Sequence, residues 1–422
     1  MDFISKQDID VPEQNNEKNT QETNQRQGPL DGLLIADFSR VLAGPYCTML
    51  LGDLGATVIK VESPSGDDTR SWMPPERDGV ATYYLAINRN KRSVTLDLND
   101  SADLQLAHEL AARADVFIQN FKPGGLKRFG LDYDAVQQRN TGIIYASISG
   151  FGTAQGASLP GYDLIVQAMS GLMSLTGDPD GPAYRSGISV FDVMAGLHVA
   201  IGILAALNHR NHTGEGQHVE VSLFASALSG MVNQTSAYVA GGIIPTRMGN
   251  AHPSLFPYEP LPTADLDLII AAGNTGQFSK LCEILDLPEL PRDPRFAGTK
   301  DRNRNRDALR PLLIERLRTR TAQEWFRRLS AAGVPCGPIN NIEGGIAFAR
   351  EIGLHPVVEV GAGDDAVSMI RHPISFSLTP PRHKLPPPAL GQDNEQIRAW
   401  LSQTPRIDPQ ELKTARETSE QS

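Results

Sequence analysis

Between Leu33 and Leu223 the chain alternates short apolar runs with stretches of helical pattern. The runs are Leu33–Phe38, Thr57–Val61, Ser93–Leu98, Asp115–Ile118, Ile143–Ile148 and Val219–Leu223. Helical segments fall between them at Pro45–Leu54 and Ser101–Arg113, with Ser101 as the expected N-cap and a short helix near Leu126. A strand that is apolar on both faces must be covered on both, and parallel strands need crossover helices to do so. The pattern therefore predicts an α/β fold built on a parallel sheet with right-handed crossovers. Ligands bind such sheets beyond the carboxyl ends of the strands. That rule singles out three loops: Ser39–Pro45, Asn120–Gly125 and Ser149–Gly152.

Asp192 stands inside the apolar stretch Gly187–Leu207. Burying a carboxylate without a partner is costly or forces its pKa upward, so the fold must have a use for it. Two uses are open: capping the helix that begins there, or acting as a nucleophile or proton carrier. The stretch approaches transmembrane length, but Asp192, His198, Gly196 and Gly202 within it predict a buried core helix instead.

The chain has 422 residues, a formal net charge of -10 and a pI near 5.4, which argues against a nucleic-acid or anionic membrane surface. Basic residues nevertheless gather near the strand-end loops: Arg40, Lys91, Arg92, Lys122, Lys127 and Arg128. They either line a phosphate site or are scattered surface charges. Cys47, Cys282 and Cys336 form no pair motif, and the acidic N-terminal segment suits neither a secretory signal nor a mitochondrial presequence. A cytoplasmic setting is expected.

Residues 1–28 read as a disordered tail and 29–225 as the large domain. Residues 226–340 read as a smaller α/β domain, with a strand at Leu266–Ala272. Residues 341–402 should return to the large domain through the Pro-rich segment Leu378–Leu390, and 403–422 should be a flexible tail. The Arg-rich block Arg302–Arg328 reads as the solvated face of helices.

Gly150, Gly152 and Gly156 superficially resemble a dinucleotide fingerprint, but the spacing is GxGxxxG and Leu159-Pro160 follows where a helix should. His209, His212, Glu215 and His218 lack ligand spacing and read as a polar turn, so no metal is expected. No nucleophile elbow or P-loop appears.

Taken together, several ordered blocks resemble the family III CoA-transferases. They are Gly28–Gly32, Asp37–Pro45, Leu54–Glu62, Asn90–Ser93, Asn120–Gly124, Pro160–Asp163 and the helix start at Asp192. The resemblance implies a Rossmann-like large domain with a smaller α/β domain, in a homodimer of two interlocked rings. It implies Asp192 as the nucleophile that takes CoA as an aspartyl thioester from an acyl-CoA, such as succinyl-CoA, and passes it to a carboxylic acid. It puts CoA contacts on Leu42, Ala43, Leu96, Asn120, Phe121, Lys122, Arg128, Ser149, Gly150 and Phe151. Arg128 would meet a phosphate, and Arg40 the acyl part or CoA. CoA is then a cosubstrate, with no metal and no tightly bound cofactor. Backbone N–H groups at the Asp192 helix start and in the Gly150–Gly152 loop would stabilise the oxyanions.

Two alternatives accompany this reading: a 2-methylacyl-CoA racemase of the same fold, and a CoA-binding protein without turnover. Racemising relatives carry His before Asp where this chain has Tyr162-Asp163, which favours transfer. The formyl-transferring branch has a run of glycines where this chain has Met248–Tyr258, and the loop here looks more like that of members acting on dicarboxylates.

Overall fold

Helices cover both faces of one six-stranded sheet. The computed structural model describes residues 28–363 and 366–403. Except for Gly28 and Gln403, the segments drawn above as tails lie outside the described residues. The strands are β1 (Leu34–Asp37), β2 (Thr57–Glu62), β3 (Lys91–Thr95), β4 (Val116–Gln119), β5 (Ile144–Ser149) and β6 (Gln217–Ser222). Every pairing is parallel, in the order β3-β2-β1-β4-β5-β6. This is the Rossmann order, with its switch point between β1 and β4.

Side chains alternate between two cores, as the pleat requires. Leu34, Ala36, Ile59, Val61 and Phe117 face one core, where α2 (Ser101–Arg113) packs. Ile35, Val58, Val116 and Ile118 face the other, where α1 (Ala43–Asp53) and α5 (Val190–Thr213) pack. Phe38, Phe117 and Tyr145 stack across β1, β4 and β5 with ring centroids 4.6 and 4.8 Å apart. Between α2 and α5 lie α3 (Tyr133–Arg139) and α4 (Asp163–Ser170), and α6 (Leu223–Gly230) follows β6.

Three local expectations need correction. The N-cap of α2 is Asp100, whose carboxylate accepts the N–H groups of Ala102 and Asp103, and Ser101 is the first helical residue. Strand β3 begins at Lys91, two residues early, because the charges it carries inward are paired. Lys91 Nζ donates to Pro45 O at 2.8 Å and Asn88 Oδ1 at 3.0 Å, and lies 3.3 Å from Asp37. Finally, α5 is only half a core helix. Phe191, Ala195, Val199, Ile203 and Ala206 are buried, but Leu197, Ile201 and Leu204 are exposed.

A second core runs from Phe256 to Val334. It lies on an antiparallel sheet of β7 (Tyr258–Pro262), β8 (Asp267–Ala271) and β9 (Cys336–Pro338), with β8 in the middle. Helices α7 (Thr275–Ile284), α8 (Arg306–Leu317) and α9 (Ala322–Ala331) pack on it through Phe278, Leu313, Leu329 and their neighbours. Arg302 is not on a solvated face. It is fully buried, donates to Phe296 O at 3.0 Å and Ala297 O at 3.1 Å, and lies over the Phe278 ring. Ala227 and Met231 pack with the large core.

The chain then crosses back over the large domain. Asn90 N–H donates to Leu385 O, and Arg70 and Tyr84 both donate to Pro388 O. The final helix α10 (Asn394–Ser402) puts Ile397, Trp400 and Leu401 into the first core, and Arg113 donates to Trp400 O at 2.8 Å. Replacing Trp400 by Ala should destabilise the protein by about 3–5 kcal/mol in denaturant unfolding. A loss under about 1 kcal/mol would mean that this returning helix adds little to the large core.

Candidate active site

The loop after β1 is fixed by a buried polar network. Asp37 accepts from Ser39 N at 2.9 Å, Ser39 Oγ at 2.5 Å and Thr48 Oγ1 at 2.6 Å. Lys60 Nζ donates to Asp67 at 2.8 Å and to Ser39 O at 3.2 Å. Burial alone would raise the Asp37 carboxyl, but Lys91 and Lys60 leave it below its ordinary value. Above this network Val41 has φ of 70°, a costly conformation for a β-branched residue, and its N–H points at both oxygens of Asp67 at 3.3 Å.

Asn120 ties this loop to the one after β4, across the switch point. Its Oδ1 accepts from Arg40 N at 3.0 Å, and its Nδ2 donates to Arg40 O at 2.7 Å. The Arg40 guanidinium itself is exposed, 3.1 Å from Asp68. A cleft of about 350 Å³ opens beside the β4 and β5 ends, with Phe121, Lys122 and Ser149 among its walls. Ser147 Oγ and His218 Nε2 lie 2.8 Å apart inside it.

The glycine loop after β5 is explained by contact rather than by a nucleotide. A Cβ on Gly150 would fall 2.2 Å from the Gly161 Cα, so two backbone segments touch there. Gly161 lies just before Tyr162 and Asp163. Phe224 N–H donates to Gly150 O, and the Phe151 and Phe224 rings lie 5.5 Å apart.

Asp192 occupies the first turn of α5 and caps nothing. Asp163, at the start of α4, does the capping: its Oδ1 accepts from Phe191 N at 2.8 Å and Asp192 N at 3.1 Å. Its Oδ2 accepts from Gln167 Nε2 at 2.5 Å. With Asp163 so engaged, it is poorly free to accept a proton from a substrate. Among the described residues no donor is bonded to the Asp192 carboxyl, which is partly buried. Burial, with the nearby Asp163 charge, pushes that carboxyl up to about 7. The close approach of helices also matters here. A Cβ on Gly196 would fall 2.7 Å from Ala43 O, so the α1 start presses on α5 one turn beyond Asp192.

The structure thus gathers Arg40, Leu42, Ala43, Asn120, Phe121, Lys122, Ser149, Gly150 and Phe151 in loops at the carboxyl ends of the strands or their direct continuations. Arg128 is exposed in the turn after β4, its guanidinium over the Phe129 ring. Leu96 is 2% exposed within the first core, which leaves its side chain no ligand-facing surface. Lys91 and Arg92 are buried and cannot line a phosphate site, and Arg92 NH1 donates to Gln396. The oxyanion expectation also changes, because the N–H groups of Phe191 and Asp192 are taken by Asp163, and that of Gly152 by Ser149 Oγ. Local sequence gave no signal for Tyr83, which comes from the segment between β2 and β3. Its half-buried phenol feels the charges of Asp192 and Asp163 and sits edge-on to Trp72, with ring centroids 5.4 Å apart.

A Rossmann-order sheet, together with a partly buried acid that no donor bonds among the described residues, is a frame suited to group transfer. The family model described as CoA-transferase family III matches residues 30–394. A succinate–glutarate CoA-transferase of Agrobacterium fabrum is 42% identical over 385 residues, covering 89% of this chain and 96% of that protein. A mouse succinyl-CoA:glutarate CoA-transferase is 39% identical over 374 residues, covering 87% and 85%. The crystal structure of a CAIB/BAIF family protein from Brucella suis superposes with a TM-score of 0.80 at 42% identity, covering 89% of this chain and all of that one. The chain belongs to CoA-transferase family III, enzymes that move CoA from an acyl-CoA to a carboxylic acid.

Chemistry that needs Asp192 as a carboxylate should weaken as pH falls through about 7, because the protonated form then dominates. In a pH series, kcat/KM for acyl-CoA should drop about tenfold per unit on the acid side. A flat profile between about pH 5.5 and 8 would contradict this.

Proposed function

We propose that this enzyme carries CoA from succinyl-CoA to a dicarboxylic acid of glutarate size through a covalent adduct on Asp192. The observation that carries the proposal is the Asp192 carboxyl, which no donor bonds among the described residues and which Asp163 frees from capping. A surface helix cap would be satisfied and solvated, whereas this group is partly desolvated and left open to react.

The steps balance without a metal or net proton. An Asp192 oxygen attacks the thioester carbonyl, the C–S bond breaks, and a mixed anhydride and CoA thiolate result. The thiolate attacks the Asp192 carbonyl carbon, the C–O bond breaks, and the donor acid leaves as its carboxylate. The acceptor carboxylate then attacks the aspartyl thioester and expels the thiolate again. That thiolate takes the acceptor acyl group and regenerates Asp192. Two exchanges preserve the thioester energy that hydrolysis would waste.

The CoA reading assigns the nucleotide end to Arg128 and Lys122, and the pantetheine arm to the loops of Leu42, Ala43, Asn120, Phe121, Ser149, Gly150 and Phe151. Arg40 is assigned to the acyl part. The two relatives above are named for succinate or succinyl-CoA and glutarate, which supports a dicarboxylate pair. A homodimer is part of the proposal. The exposed stripe Leu197, Ile201 and Leu204, together with exposed Val239, Ile243 and Ile244, is apolar surface suited to burial against a second copy.

Asp192→Ala should abolish transfer while CoA still binds, and mass spectrometry of the unaltered protein with succinyl-CoA should find a CoA adduct on the Asp192 peptide. A turning-over Asp192→Ala protein would refute the mechanism. In an acceptor panel, glutarate should exceed formate and oxalate by about tenfold or more in kcat/KM. The reverse ranking would remove the dicarboxylate assignment.

A further inference from the structure

We propose that Asp163, held by Gln167, is the positioning residue of the transfer reaction: it seats the helix bearing Asp192 and holds a fixed negative charge against the nucleophile. This rests on the reading of Asp192 as the nucleophile.

The seat is built from buried groups. Gln167 is fully buried; its Nε2 donates to Asp163 Oδ2 at 2.5 Å and to Ile188 O at 3.3 Å. Its Oε1 accepts from Ser186 N at 2.8 Å. One amide thus fixes both Asp163 and the segment that leads into α5. Asp163 in turn accepts the N–H groups of Phe191 and Asp192, while the N-cap residue Ser189 makes no side-chain cap bond. Three N–H donors on two oxygens is the pattern of an ionised carboxylate. An ordinary cap would sit next to the helix in sequence. Asp163 is 29 residues from Asp192, so its placement links the start of α4 to the reacting group.

The charge has a chemical consequence. When Asp192 attacks the thioester, its carboxylate becomes part of a neutral anhydride, and the negative charge passes to the CoA thiolate. When the thiolate returns, the charge leaves with the donor acid and Asp192 remains neutral as a thioester. Repulsion from Asp163 therefore acts on the free carboxylate and is relieved in both adducts. Any factor by which it disfavours ionised Asp192 against protonated Asp192 also favours the adducts, because they are equally neutral. The groups that face Asp192 are Asp163 from α4 and the phenol of Tyr83, and no cation offsets the pair among the perturbing charges of the described residues. Burial and this charge together place the Asp192 carboxyl at about 7.

The test uses Asp163→Asn and Asp163→Glu in the full-length enzyme, with succinyl-CoA and glutarate as probes. Asn keeps an oxygen to accept the helix N–H groups but removes the charge and the acceptor for Gln167 Nε2. The midpoint of the acid limb of kcat/KM should fall by about one unit or more, and the steady-state fraction of aspartyl-CoA, read by intact-mass spectrometry, by up to about tenfold. Glu keeps the charge but displaces the seat, so kcat should fall while the midpoint stays near that of the unaltered enzyme. A folded Asn variant with unmoved midpoint and adduct overturns the proposal, and so does a Glu variant whose midpoint shifts like that of Asn. An unaltered enzyme with no adduct on Asp192 sinks the nucleophile reading and this one with it. An adduct there with an unmoved Asn variant sinks this one alone.

Discussion

A carboxylate kept partly out of water beside a second carboxylate is the arrangement to which the rest of the site answers. Among the described residues Asp192 has neither a hydrogen-bond donor nor a cation to hold its charge, and it sits close to the engaged Asp163. Such a group is unfavourable as an anion and improved by becoming an ester, anhydride or thioester. The fold has to fix that contact rigidly, since the helix could otherwise turn the acid into solvent. It does so twice: through the Asp163 and Gln167 bonds at the helix start, and through the pressure of α1 on Gly196 one turn later.

The loop that meets α5 is itself held by charge. Asp37, Lys60, Lys91 and Asp67 are all buried beneath Ser39–Gly44. Buried ion pairs of this kind seldom add much stability over apolar packing, because desolvation offsets most of the attraction. Their value here is geometric. They fix Val41 in a left-handed conformation that the residue would not choose, and so set where Leu42 and Ala43 begin α1. Burial also lowers Lys91 to about 8, yet its ammonium still has three oxygens to bond.

The sheet was legible in the sequence because a parallel strand is apolar on both faces, and runs such as Leu34–Ala36 and Val116–Ile118 can be little else. The Asp192 position was legible for the opposite reason, as an acid that breaks an apolar run. What escaped was whatever depends on pairing across the chain. Lys91 and Arg92 look like surface charges until Asp37 and Gln396 are seen beside them. The cap on α5 comes from Asp163, which no i to i+3 pattern could reveal. Tyr83 and Gln167 carry no local signature at all. Leu96 went the other way: the resemblance offered it as a ligand contact, but the collapse of β3 against α2 and α10 takes its side chain into the core.

These long-range contacts also bear on how transfer is separated from racemisation. On the proposed reading Asp192 serves transfer as a nucleophile, whereas a racemase would need a second group beside it free to exchange a proton. In this chain the adjacent acid is spent on three N–H donors, and the residue before it, Tyr162, is exposed. A fully engaged carboxylate makes a poor base but a firm electrostatic wall. The pair of aspartates then suits covalent transfer because one of them is unavailable for anything except holding the other in place.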